Sequence, residues 1–313
     1  MNLNSCFAAA AIAVLASSLS IARADGLEPA SLLLFPEFDN QPGNATLLTI
    51  TNVNSDPRTG AIDVHLIYVD ASNCQRTDRI EHMTARDTVT FLSSFHAPGL
   101  ARGYLYAYAL DPITHKSIDF DYLIGSSWRC DAINEGAYAL DALPFQALTG
   151  AGLATDVNFN GKPDLDGVEY EKAHNRCFMP RFFGQFTPPM SNGIFVSDLV
   201  LLQPLGNSGV TTSVAFLAYN DNEEVFSANY SFQCWARVPL VSISGAFADT
   251  FLRATNQNPN EVEGATFLES GWFDMKGLVA TSPQGSTQNP PVFGVLVDVR
   301  PMSAALLPFV DKP

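Results

Sequence analysis

Cations are scarce in this sequence. Seventeen lysines and arginines stand against 32 aspartates and glutamates in 313 residues, a formal net charge of −15. No basic cluster interrupts that imbalance, so a phosphate backbone is repelled and nucleic acid is excluded as a partner. Long apolar runs are missing too: the longest, Phe7 to Leu19, falls short of the ~20 residues that a membrane-spanning helix needs. Catalytic signatures are equally thin. The five histidines (His65, His82, His96, His115 and His174) are scattered, and no His-Glu-x-x-His occurs. No glycine-rich loop follows a strand and opens a helix, which argues against nucleotide use. Gly206-Asn207-Ser208-Gly209, the nearest echo of a nucleophilic serine, lies in a turn. No Cys-x-x-Cys or close Cys/His set is found, which argues against structural zinc.

What is present begins with a leader. Phe7 to Leu19 has the length of a signal-peptide core, although Met1 to Ser5 lacks a basic residue. Ala22-Arg23-Ala24 presents small residues at both positions that signal peptidase reads, so cleavage is expected between Ala24 and Asp25. The product would be secreted or periplasmic. Cys6 leaves with the leader, and Cys74, Cys130, Cys177 and Cys234 remain, an even number that suggests two disulfides. Cys74 and Cys130 each follow a strand in the first half, and Cys234 ends one in the second, so Cys74–Cys130 and Cys177–Cys234 are the expected pairs. The first closes a loop of more than fifty residues, worth about 4 kcal/mol in the chain-entropy account.

Hydrophobic residues make up 47% of the chain, with 21 glycines and 20 prolines spread along it, which reads as short strands joined by turns. In Ala61 to Val69, Ile62, Val64, Leu66 and Tyr68 fall on one side and Asp63, His65 and Ile67 on the other, the period of a strand with one buried face. Thr46 to Asn52 and Thr88 to Leu92 read alike. Gly103 to Leu110 alternates Tyr104, Tyr106 and Tyr108 against Leu105, Ala107 and Ala109, and is expected to form a hairpin with Ser117 to Leu123. The tyrosine row beside Asp119 and Asp121 has the chemistry of a sugar platform, but cross-strand packing produces the same pattern and is the favoured reading. Ala137 to Leu148 is expected to close the domain as a short helix or packed loop.

Leu34-Phe35-Pro36-Glu37-Phe38-Asp39-Asn40, Leu48-Thr49-Ile50-Thr51-Asn52 and Phe120-Asp121-Tyr122-Leu123-Ile124-Gly125 resemble motifs of uncharacterised secreted bacterial proteins with immunoglobulin-like β-sandwich modules. That resemblance implies a sandwich fold and an extracytoplasmic address, and brings no activity with it.

Between the halves lies Asp156 to Tyr170. Asp156, Asn158, Asn160 and Asp164 occupy positions one, three, five and nine of a calcium loop, Gly161 takes the tight turn at position six, and the Lys162 carbonyl takes position seven. Oxygens on alternate residues suit a cation that takes six to eight of them. The run resembles calcium loops of the EF-hand, dockerin and thrombospondin type 3 kinds. It departs from them at position twelve, where Gly167 replaces the bidentate Glu; Asp166 or Glu169 must then complete the shell. A metal-free Asp/Asn/Gly turn is the competing reading.

In the second half an aromatic, proline-rich connector (Arg176 to Phe183 and Phe186 to Pro189) is followed by expected strands at 198–203, 213–219, 226–235, 240–244, 265–268, 272–279 and 292–299. Phe226, Ala228, Tyr230, Phe232 and Cys234 share one face of their strand. A weak echo sets Asn52-Val53-Asn54 and Ala61–Val69 beside Asn220-Asp221-Asn222 and Phe226–Trp235, suggesting duplication. Together these readings predict a mostly β protein: a signal peptide at 1–24, an immunoglobulin-like antiparallel sandwich at 25–150, a connector with a calcium-type loop at 151–190, and a second sandwich at 191–313. The expected role is an exported, non-enzymatic binding or structural module holding Ca²⁺, with an extracellular protein or glycan as partner. The alternatives are a calcium-dependent hydrolase of glycan or peptide, and a subunit of a surface assembly or adhesin.

Overall fold

A computed structural model describes residues 28–131, 136–147, 176–184, 196–204, 209–220, 224–252, 270–283, 285–300 and 303–307. The chain falls into two compact units, residues 1–173 and 174–313.

The first unit holds β1 (Leu32–Asp39), β2 (Asn44–Asn52), β3 (Ile62–Asp70), β4 (Arg76–Met83), β5 (Thr88–Leu92), β6 (Arg102–Leu110), β7 (Leu123–Asp131), β8 (Gly136–Asp141) and β9 (Leu143–Phe145), with one helical turn, α1 (Ser93–His96), after β5. They form two antiparallel sheets, ordered β4-β3-β6-β1-β9 and β5-β2-β7-β8. The alternation in β3 does what its spacing predicts: Ile62, Val64, Leu66 and Tyr68 enter a core shared with Phe35, Leu48, Ile50, Leu105 and Ala107 from both sheets. Each such burial contributes about 1.5–3 kcal/mol, so the sandwich is held by its two inner faces.

The second unit holds β10 (Arg176–Phe183), β11 (Val196–Leu202), β12 (Thr211–Tyr219), β13 (Val225–Phe232), β14 (Trp235–Pro239), β15 (Ser270–Ser282), β16 (Gly285–Gln288), β17 (Phe293–Arg300) and β18 (Ser303–Leu307), with the single turns α2 (Leu240–Ile243) and α3 (Asp249–Leu252). Its sheets run β10-β15-β12-β13, with β16 on β15, and β14-β11-β17-β18. Met179, Phe182, Val214, Phe216, Phe273 and Met275 of one sheet meet Leu199, Leu201 and Leu296 of the other. This is a second sandwich.

The two strand orders are the same order. β4-β3-β6-β1 corresponds to β13-β12-β15-β10, and β5-β2-β7-β8 to β14-β11-β17-β18. Details agree as well. α1 follows β5 as α2 follows β14. The β1–β6 register shifts between Phe35 and Phe38, across Pro36, and the β10–β15 register shifts between Met179 and Phe182, across Pro180. A proline has no N–H for the ladder, so the strand bulges there. The repeat that the sequence suggested is therefore displaced by one strand: Ala61–Val69 corresponds to β12, not to Phe226–Trp235.

Other expectations change. Ser117 to Leu123 does not pair as a hairpin with β6; Ser117 makes one isolated bridge to Leu110. The Ser31 hydroxyl, accepting from Phe120 N at 2.7 Å and donating to Asp121 at 2.7 Å, anchors the segment to the start of β1 as it crosses to the other sheet. Within the segment expected as a helix or packed loop, residues 137–145 give strands: Gly136, Tyr138 and Leu140 are buried in alternation, and Pro144 sits in the edge strand β9; Leu148 lies outside the described residues. Leu240 to Ser244 is a helical turn, since Pro239 supplies no N–H to extend β14. Within the expected connector, Arg176–Phe183 is a strand paired to β15. Residues 265–268 lie outside the described residues. Cys74, Cys130 and Cys234 are disulfide-bonded, whereas Cys177 keeps its thiol, which lies in the second core and donates to the Val292 carbonyl at 3.1 Å. The expected Cys177–Cys234 bridge is not formed.

Candidate functional site

The residues singled out for calcium, Asp156, Asn158, Asn160, Lys162, Asp164, Asp166 and Glu169, lie outside the described residues. Among the described residues no group of three or more His, Cys, Asp and Glu side chains has metal-holding geometry.

The tyrosine row is a packing feature. Tyr104, Tyr106 and Tyr108 are all buried; Tyr106 and Tyr108 stack at 6.3 Å, and the Tyr108 hydroxyl meets His65 Nδ1 at 2.8 Å. Burial pushes the Tyr104 and Tyr106 phenols up. Asp121 accepts from Ser31 and from Ala147 N. Partial burial, then the Asp121 charge, raises Asp119. No open aromatic platform exists there for a sugar ring.

Four of the five histidines gather on the first sandwich. His82 Nδ1 lies 2.9 Å and His115 Nδ1 3.4 Å from the two oxygens of Asp63. His65 approaches Asp78 at 3.4 Å. His96 is the most shielded: its Nδ1 meets the Tyr68 hydroxyl at 2.7 Å and its Nε2 meets Glu81 at 3.0 Å. Tyr68–His96–Glu81 has the connectivity of an activated hydroxyl, but the environment opposes activation. Tyr68 stands in the core, and burial drives its phenol above the ordinary tyrosine range, so the hydroxyl stays protonated. The chain is a device for satisfying a core phenol. The inward position of Tyr68 in the β3 alternation was the one sequence signal that such a partner was required.

The most enclosed polar cluster lies beside the Pro36 bulge. Arg129 donates to Asp39 at 2.7 Å and to the Tyr138 hydroxyl at 2.8 Å, and Tyr138 donates to Glu37. All four residues are buried, and Arg129 Nε has no hydrogen-bond partner. The second sandwich holds the same device with its charges exchanged. Arg181, on the β10 bulge, lies 3.7 Å from buried Asp298 of β17, and Ser197 donates to that carboxylate. Asp39 N donates to Thr46 Oγ1 at 2.9 Å, and Phe183 N to Ser197 Oγ at 3.4 Å, so Thr46 and Ser197 are counterparts. Burial raises Asp298 against the pull of Ser197 and Arg181. These clusters join the sheets of each sandwich. Sequence reasoning missed both, because Asp39 and Arg129 stand 90 residues apart.

A cleft of about 350 Å³ opens on the second sandwich, lined by Gln203, Val210, Ser282, Ser286, Thr287 and Pro290 among others. Its hydroxyl and amide groups can hydrogen-bond a ligand without exchanging protons near neutral pH.

No family model matches the chain, and no curated protein matches it. A chain of the naturally occurring empty particles (top component) of Cowpea mosaic virus is matched at 9% identity over 91% of this chain and 94% of that one, with a TM-score of 0.18. A superposition that loose carries no argument.

Proposed function

We propose that the chain is an exported, non-enzymatic binding or structural module built from two tandem sandwiches, with Ca²⁺ held in the segment that links them in sequence. The observation that carries the reading is the repeated strand order, since tandem copies of one sandwich extend a surface without requiring chemistry at either. In this reading Asp156, Asn158, Asn160, Asp164 and the Lys162 carbonyl supply the first oxygens. Asp166 or Glu169 completes them in place of the missing Glu at position twelve. The ion would brace the linker, and calcium at extracellular concentrations would keep a site of modest affinity filled.

Calorimetric titration of calcium into chelator-stripped protein tests this directly. One site is expected, and Asp156→Ala should abolish it; an unchanged titration in that variant removes the loop from consideration. A screen of glycan and peptide hydrolysis with and without chelator separates a module from a calcium-dependent hydrolase. Calcium-dependent turnover would replace the present reading. Assembly into a larger surface structure is a second reading, favoured by the composition of one sheet edge.

A further inference from the structure

We propose that the outer edge of β13 is a self-association surface, on which two copies of this chain pair β13 with β13, antiparallel, about a two-fold axis at Asn229. The inference does not depend on the calcium reading.

An edge strand offers a row of unpaired N–H and C=O groups, and proteins that stay apart blunt such edges with charge, proline or a bulge. Three edge strands among the described residues reach eight residues: β4, β10 and β13. β10 is blunted by Pro180 and its register shift. β4, the counterpart of β13 in the first sandwich, carries Arg76, Asp78, Arg79, Glu81 and His82. β13 reads Val-Phe-Ser-Ala-Asn-Tyr-Ser-Phe, without a charge or a proline. It pairs with β12 without a register shift from Val225 to Phe232, and its other edge is unpaired among the described residues. Val225 and Phe226 are each 51% exposed. The same place in the repeat is thus protected in one unit and left open in the other.

A second copy fits this edge for two reasons. The chain carries a net charge of −15, so two copies repel unless they meet where charge is absent, and β13 supplies eight such positions in a row. The strand also complements itself. Opposed residues of an antiparallel pair share a face. A two-fold axis at Asn229 therefore sets Asn229 against Asn229 and Ser227 against Ser231 on the outer face. On the inner face it sets Phe226 against Phe232 and Ala228 against Tyr230. Polar side chains meet polar ones on the outer face, Phe226 meets Phe232 and Ala228 packs under Tyr230 on the inner one, and the β10-β15-β12-β13 sheets of the two copies become continuous.

Sedimentation velocity of the full chain, from low to high micromolar, tests the proposal. The wild type should dimerise. Asn229→Lys, at an exposed position, places like charges opposite each other at the axis, and with Ser227→Lys it should weaken the dimer at least about tenfold, equivalent to about 1.4 kcal/mol. Ile80→Lys on β4 should leave the dimer unchanged. In Asn229→Cys, oxidation should join the two introduced thiols across the axis, because opposed Cα atoms at about 4.5–5.5 Å lie within disulfide reach. A wild type that stays monomeric overturns the proposal, even if it binds an extended peptide at β13. A dimer that survives both lysines without forming the 229–229 bridge, or that dissociates on Ile80→Lys, overturns it equally.

Discussion

Arg129 donates to Tyr138 and Asp39 from a position only 7% exposed, and Glu37 and Asp39 are as well shielded from water. Removing the cation would strand two carboxylates in the sandwich. Breaking a buried pair from one side costs about 3–5 kcal/mol, so Arg129→Ala should lower the unfolding free energy by that amount, read from the urea midpoint at unchanged m. A loss below about 1 kcal/mol, the range of exposed pairs, would mean that the cluster is wet. Asp298 makes the opposite kind of statement. Its folded pKa is raised, chiefly by burial. Its contribution to stability is therefore fully present below the unfolded value of about 3.9 and is lost as pH rises through the folded value. In Asp298→Asn that dependence disappears. The stability of wild type minus variant should fall as pH rises from below about 3.9 through the folded value; a difference that rises instead would show that Arg181 holds the carboxylate charged.

Individual strands were the most legible part of the sequence, because their signal is local. β3 and β6 follow from period-2 alternation alone, and β2 and β5 were placed by the same rule. Failures occur where partners decide. Ser117 to Leu123 alternates as well as a strand does, but Ser31 holds it at the start of β1, where it leaves for the other sheet, and no local pattern encodes Ser31. Alternation gives the face of β13, yet Phe226 lies half in water against Phe251 at 4.5 Å, since position in a sheet, not period, decides which strand is an edge. The connector residues Met179 and Phe182 are core residues of β10, hidden from a strand reading by Pro180. For the candidate sites the division is sharper. The residues proposed for calcium, Asp156 to Glu169, lie close together in the sequence and can be read from spacing. The ion pairs Asp39–Arg129 and Arg181–Asp298 are assembled only by the fold.

At the scale of the whole molecule, the repeat makes a prediction that neither sandwich makes alone. Gly103 of β6 pairs with Phe38 just past the β1 bulge, and Gly271 of β15 pairs with Phe182 just past the β10 bulge. A Cβ on Gly103 would stand 1.9 Å from the Val69 carbonyl oxygen, and one on Gly271 would stand 2.4 Å from the Tyr219 carbonyl oxygen. Val69 of β3 pairs with Tyr104, the residue after Gly103, and Tyr219 of β12 pairs with Trp272, the residue after Gly271; β3 and β12 are themselves counterparts. The close approach is one feature made twice, and in both cases the obstacle is backbone, which cannot turn aside as a side chain can. Gly103→Ala and Gly271→Ala should therefore each destabilise, by at least the ~1–3 kcal/mol of an overpacked site. Hydrogen exchange read by peptide should localise the two effects differently. Gly103→Ala should release amides of β3, β6 and β1, whose neighbours share the first core. Gly271→Ala should release β12, β15 and β10, around the second. Equal release of both sets by either substitution would show that the chain opens as one cooperative body, despite being built from two cores with no residue in common.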